Sequence, residues 1–182
     1  MMQFPEIDKT WTLFLDRDGV INVRNFGGYI TRKEEFQFLP GVPEAITALS
    51  VIFGRIIVCT NQQGIAKGLF SKSNLDEIHR YMEHELAERG GKIDGIFAAC
   101  ELKSDEKNTR KPQPFMALEA KKQFPEIDFN KSIMVGDTDS DIIFGRNLGM
   151  KTILIESEEK VKEQADFKIN GLWELLKLVR QK

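Results

Sequence analysis

The stretch Thr12-Leu13-Phe14-Leu15-Asp16-Arg17-Asp18-Gly19-Val20 decides the fold. A short apolar run meets two acids, an arginine and a glycine, so a buried strand stops at a polar turn. Arg55 to Cys59, Gly95 to Ala99, Ser132 to Val135 and Thr152 to Ile155 repeat that short apolar pattern. Between the runs lie segments of helical period: Pro43 to Ile52, the stripe Leu75, Ile78, Met82 and Leu86, Pro114 to Phe124, and Ser140 to Leu148. The second of them carries Ser73 and Asp76 at capping-box spacing, with Gly90-Gly91 as a stop. This alternation predicts an α/β chain, a three-layer Rossmann-like parallel sheet with helices on both faces. A last stripe, Leu172, Trp173, Leu176 and Val179, is expected to cover the sheet, after a charged, solvated connection from Glu156 to Gln164.

With 182 residues the chain has room for one domain, taken to span 1–182. Apolar residues make up 41% and charged residues 30%, which supports a folded core and gives disorder no basis. Twenty-six basic against 28 acidic residues leave a net charge of -2, which argues against a nucleic-acid partner and against a membrane surface. The expected ligand is therefore small. Cys59 and Cys100 are the two cysteines, too few for a disulfide framework or a Cys-rich zinc site, and a reducing, cytoplasmic setting follows. The start, Met1 to Asp8, has no basic region before an apolar stretch, so neither export nor anchoring is expected. A monomer or small homo-oligomer is expected.

In open α/β sheets ligands bind beyond the carboxyl ends of the strands. Three strand ends carry related chemistry: Asp16-Arg17-Asp18-Gly19, Thr60-Asn61-Gln62-Gln63-Gly64, and Gly136-Asp137-Thr138-Asp139-Ser140-Asp141. The strand period of two sends Asp16 and Asp18 the same way, and Asp137 adds a third carboxylate, a set suited to Mg2+. Each piece has a plainer reading as well. Asp-x-Asp-Gly makes turns, and the Asp137 segment can simply cap the next helix. Calcium fits poorly, because Ile142 stands where an EF-hand loop needs glycine and Leu148 where it needs glutamate. Thr60 and Asn61 can meet phosphate oxygens or form a turn. Arg110-Lys111-Pro112 offers two cations for anionic groups or a solvated basic pair. A Gly-x4-Gly-Lys-Ser/Thr loop is absent, which removes the main part of a nucleotide kinase.

In this order and on these elements, the four segments resemble the haloacid dehalogenase superfamily of phosphohydrolases. The wording around them, Leu15-Asp16-Arg17-Asp18-Gly19-Val20-Ile21-Asn22, Thr60-Asn61-Gln62-Gln63-Gly64, Arg110-Lys111-Pro112 and Val135-Gly136-Asp137, is similar to its capless branch. That branch contains D-glycero-D-manno-heptose 1,7-bisphosphate phosphatase and the histidinol-phosphate phosphatase domain. The resemblance implies a haloacid dehalogenase-like fold without a large cap domain and an Mg2+-dependent phosphomonoesterase working through an aspartyl-phosphate. It implies Asp16 as nucleophile and Asp18 as general acid and base. Mg2+ would sit on the Asp16 carboxylate, the backbone carbonyl of Asp18 and Asp137. Thr60 and Lys111 would bind the transferring phosphoryl group, while Asn61, Gln62 and Arg110 would place the rest of the substrate and Asp141 would support the metal indirectly.

Relatives of that branch carry Cys-x-His and Cys-x-Cys pairs before Arg-Lys-Pro that hold zinc. Here the loop from Cys100 to Thr109 keeps one Cys and no His, so no zinc is expected. The substrate is expected to be a small sugar phosphate or bisphosphate, most like heptose 1,7-bisphosphate, with histidinol phosphate as the alternative. Outside catalysis, a phosphate-binding module of the same fold is the competing reading. His79 and His84 are expected at the surface or its boundary. Val23 to Phe38, with Gly27, Gly28 and four aromatics, reads as a flap over the site or a packed hairpin.

Overall fold

The computed structural model describes residues 4–180. The first three residues of the polar start and the last two of the chain lie outside them.

Six strands form one sheet in the order β3-β2-β1-β4-β5-β6, and every neighbouring pair is parallel. They are β1 (Thr12–Leu15), β2 (Arg55–Asn61), β3 (Gly95–Ala99), β4 (Ser132–Gly136), β5 (Lys151–Ile155) and β6 (Phe167–Ile169). The helices are α1 (Val42–Ser50), α2 (Lys72–Ala87), α3 (Phe115–Gln123), α4 (Asp139–Asn147) and α5 (Leu172–Arg180). Because side chains alternate along a strand, each strand feeds two cores. Leu13, Leu15, Ile56, Val58, Ile133 and Val135 pack with Ile46 and Leu49 of α1, Ile78 and Met82 of α2, and Leu172 and Leu175 of α5. Phe14, Ile57, Cys59 and Met134 face the other way, onto Met116, Ala117 and Ala120 of α3 and Phe144 of α4. Burial on both faces is why these strands read as unbroken apolar runs.

The five expected strands and five helical segments are present, with ends shifted by one or two residues. β6 is additional. Its three residues follow a charged connection and show one buried side chain, Ile169, too little pattern to mark a strand. The cap of α2 also differs from the expected Ser73-Asp76 pair: Ser71 is the N-cap, accepting from the Asn74 N–H at 3.1 Å, while the Asn74 side chain accepts from the Ser71 N–H at 2.9 Å. In α5 the stripe runs through Leu172 and Leu175, and Trp173 is 42% exposed. One residue past Leu172 is a turn of 100° away from the buried line, and the indole there lies under Lys177, 4.1 Å from Nζ to the ring centre.

Between β1 and β2, Val23 to Phe38 forms an excursion whose base is closed: Val23 N–H donates to the Gln37 carbonyl at 2.8 Å and Leu39 N–H to Ile21 at 3.0 Å. Phe36 is buried and meets Phe38 and Tyr81 edge-on, with centroids 5.0 and 6.0 Å away, which ties the excursion to α2. Beside this excursion, the strand connections hold the helices and loops no longer than the stretch from Cys100 to Pro114, with no room for a large cap.

Candidate active site

At the end of β1 the Asp16 N–H donates to the Val135 carbonyl at 3.0 Å, carrying the sheet ladder one residue past the strand. The chain then turns at once. The Arg17 carbonyl accepts from the N–H groups of Ile21 and Asn22 at 2.8 and 3.1 Å, and Gly19 adopts φ +87°. A Cβ at Gly19 would lie 2.1 Å from Asp137 Oδ2, so glycine serves both the left-handed backbone and the approach of that carboxylate.

This turn separates the two acids that strand periodicity would pair. The Asp18 carboxylate points to Arg17 Nη2 (2.9 Å to each oxygen), Asn22 Nδ2 (3.0 Å) and Gln62 Nε2 (2.8 Å). Asp16 instead converges with Asp137 and Asp141, one oxygen from each lying within 4.8 Å of the others. The three-acid set is thus completed by Asp141 and not by the Asp18 side chain, because the period of two ends where the turn begins.

Lys111 Nζ is buried between Asp16 Oδ1 at 2.9 Å and Asp141 Oδ1 at 2.6 Å. Arg24, at the base of the excursion, reaches Asp137 Oδ2 at 3.0 Å and Glu159 at 3.5 Å. Burial pushes the Asp16 carboxyl up to about 7; Lys111 opposes the rise and the neighbouring carboxylates add to it. Burial and Asp141 likewise push Asp137 up to about 6, against Arg24. For Lys111 burial disfavours the cation, yet Asp141 and Asp16 raise its pKa above the ordinary value. Asp18 shows the reverse balance: burial would raise it, but Arg17, Asn22 and Gln62 hold it below the usual carboxylate range.

The donor set fits a hard divalent cation. All three groups are carboxylates, and Asp137 Oδ1 is buried with no hydrogen-bond partner among the described residues. Asp141 is less free, since Oδ1 meets Lys111 while Oδ2 accepts from the Thr138 N–H at 3.0 Å and the Thr138 hydroxyl at 2.6 Å. Asp16, Lys111 and the pair Asp137 and Asp141 come from three separate connections of the sheet, and β1 and β4 lying side by side bring the acids to one edge.

The remaining expected residues divide into those that face the cleft and those that stand behind it. A cleft of about 500 Å³ is lined by Asp16, Asp18, Thr60, Asn61, Arg110 and the excursion from Arg24 to Ile30. Thr60 sits at its floor, its Oγ1 accepting from Gln62 Nε2 at 2.9 Å. Gln62 is buried and bridges Thr60 to Asp18. Asn61 brackets the backbone of Lys111, accepting from its N–H at 2.9 Å and donating to its carbonyl at 3.2 Å. The Arg110 guanidinium donates to the Glu101 carbonyl at 3.4 Å, makes no ion pair among the described residues, and has its pKa lowered by burial. Lys67 lines the same cleft, 3.1 Å from the Tyr29 hydroxyl. A larger hollow of about 710 Å³, between α2, α3 and β3, contains none of the clustered carboxylates.

Reasoning from sequence missed Arg17, Arg24 and Lys67, and it misplaced His79. His84 is exposed, as expected, but His79 is buried, with Nε2 3.3 Å from Arg17 Nη1. A signal was there: His79 follows Leu75 by four residues and so lies on the apolar face of α2. For Arg24 and Lys67, on irregular loops, no periodicity was available.

The HAD-hydrolase-like family model matches residues 108–174. The chain is 34% identical over 180 residues to the D-glycero-beta-D-manno-heptose-1,7-bisphosphate 7-phosphatase of Pasteurella multocida, covering 92% of this chain and 96% of that protein. It is 36% identical over 176 residues to the D-glycero-alpha-D-manno-heptose-1,7-bisphosphate 7-phosphatase of Campylobacter jejuni, covering 96% and 98%. A crystal structure of the D,D-heptose 1,7-bisphosphate phosphatase from B. bronchiseptica, complexed with magnesium and phosphate, superposes with a TM-score of 0.83 at 27% identity, over 92% of this chain and 96% of that one.

Proposed function

The chain belongs to the haloacid dehalogenase-like phosphatases, and from that premise we propose that it is an Mg2+-dependent phosphomonoesterase whose substrate is a heptose 1,7-bisphosphate-like sugar. The observation that carries this reading is the buried Asp16–Lys111–Asp141 cluster, with Asp137 beside it, under a cleft edged by Arg110 and Lys67, two cations that the acids do not use. Asp16 attacks phosphorus, the P–O bond to the sugar breaks, and an aspartyl-phosphate forms. Asp18 gives its proton to the departing sugar oxygen, then removes one from the water that cleaves the intermediate and releases phosphate. In the present geometry Asp18 is held as a carboxylate, the form the second step needs; an arriving phosphate dianion disfavours that negative charge and supplies the drive to take up a proton. Lys111 and the Thr60 hydroxyl receive the phosphoryl oxygens, and Asn61 keeps the lysine loop against β2.

Mg2+ would be held by the carboxylates of Asp16 and Asp137 and the backbone carbonyl of Asp18, with Asp141 steadying Lys111, and would neutralise charge on the phosphoryl oxygens. In the loop from Cys100 to Thr109 a lone Cys supports a site without zinc. The two free thiols fit a reducing compartment, which supports a cytoplasmic setting; among the described residues no helix is long and apolar enough to cross a membrane. Arg110 and Lys67 favour a substrate with a second anionic group over histidinol phosphate, whose far end is cationic.

Phosphate release from a panel of sugar phosphates, sugar bisphosphates and histidinol phosphate, with Mg2+ or EDTA, tests the reading. Turnover should require Mg2+ and favour the bisphosphate, and Asp16→Asn should abolish it. Phosphate binding without turnover on any ester would favour the non-catalytic module.

A further inference from the structure

Arg17 is fully buried, lies between Asp16 and Asp18 in sequence, and is a cation in no position to touch solvent. Two contacts fix its guanidinium. Nη2 forks onto both oxygens of Asp18 at 2.9 Å, and Nη1 stands 3.3 Å from His79 Nε2. An arginine has donors only, so Nε2 is the acceptor, and the imidazole is neutral with its proton on Nδ1. Burial and the neighbouring Arg17 push the His79 pKa down to about 3, in agreement with a neutral ring. Helix α2 aims the ring: it is capped at Ser71, and Leu75, Ile78 and Met82 seat its inner face. His79 does not line the acidic cleft, so its route to the reaction runs through Arg17.

We propose that His79 is a positioning residue for the leaving-group proton donor, orienting the Arg17 guanidinium so that Asp18 is held at the cleft. With the acceptor gone, Nη1 has no partner and Arg17 can rotate about its single remaining anchor, carrying the Asp18 carboxylate with it. This rests on Asp18 acting as the proton donor, as proposed above.

The test compares kcat/KM for phenyl phosphate, whose basic phenolate needs a proton to leave, with that for 4-nitrophenyl phosphate, whose phenolate leaves unaided. kcat/KM covers the steps up to the first P–O cleavage and so excludes the later hydrolysis. His79→Asn and His79→Leu should lose about tenfold or more on phenyl phosphate relative to 4-nitrophenyl phosphate. His79→Gln, whose amide oxygen reaches the place of Nε2, should restore the ratio. Equal losses on both esters, no loss on either, or folding of the Gln variant alone would each overturn the proposal and leave His79 a packing residue. Asp18→Asn in the same assay separates the two readings. An unchanged ratio there means Asp18 is not the donor, whereas a changed ratio beside unaffected His79 variants sinks only the role of His79.

Discussion

Burial makes Asp16 and Asp137 hold a proton to higher pH than an ordinary carboxyl, in spite of Lys111 and Arg24 beside them. With the Asp16 carboxyl pushed up to about 7, binding of Mg2+ must expel a proton at any lower pH. The sign follows: affinity should fall as pH drops, by roughly tenfold per pH unit below about 7 for a single displaced proton. Calorimetric titrations in buffers of different ionisation enthalpy would read both the affinity and the proton release; a pH-independent affinity between 5.5 and 8 would contradict the cluster as the metal site. Asp16 and Asp137 were legible in the sequence because each follows an apolar run at the carboxyl edge of a parallel sheet, whereas Lys111, at the end of a long polar loop, stood out only through the resemblance of Arg110-Lys111-Pro112 to a family motif. The direction of the Asp18 side chain was not, because it depends on a turn stabilised by the Arg17 carbonyl and Gly19, and a period of two says nothing past the last strand residue. His79 was hidden by its type: a polar residue on an apolar face declares its burial but not its partner.

Helix α4 shows how one element serves fold and site together. Thr138 caps it, with the Asp141 carboxylate at N3 accepting from the Thr138 N–H and hydroxyl while its other oxygen meets Lys111. Gly136 and Gly145 let the helix sit close to the sheet, since a Cβ at 136 would overlap Asp141 and one at 145 would press on Met134 and Thr152. Thr138→Ala should therefore cost about 1 kcal/mol, or roughly 2–4 °C of melting temperature, and also lower kcat by releasing Asp141. Thr138→Ser, which keeps the hydroxyl, should recover both in thermal melts and turnover assays. The reading of this segment as a helix cap and its reading as part of the site were offered as alternatives, and the structure has the same residues in both places. The helices and long strands were visible through periodicity, whereas β6 was too short for any period to show, and its place at the sheet edge is set by pairing with β5.

At the scale of the molecule, the clustered acids come from connections that the chain makes far apart, and a cation held among them ties β1, β4 and α4 together. A ligand that binds only the folded state stabilises it by mass action, about 2.7 kcal/mol at a hundredfold excess over Kd, which for a chain of this length is roughly 5–10 °C. Saturating Mg2+ should raise the melting temperature by that amount relative to EDTA, and Asp137→Asn should erase the difference while still folding. The overall architecture was readable because alternation of buried runs and amphipathic segments leaves few topologies open. The cleft walls were not, since the excursion from Val23 to Phe38 has no repeating pattern and takes its shape from Phe36 packing on Tyr81.

The central strand β1 is laid between β2 and β4, and Thr12 pairs with Ser132. A ribosome must therefore synthesise more than a hundred further residues before Asp16 has Asp137 as its neighbour. Until that strand emerges from the exit tunnel, nascent protein carrying residues 16 and 18 is chemically mute, and hydrolytic competence waits for β4 to join the sheet.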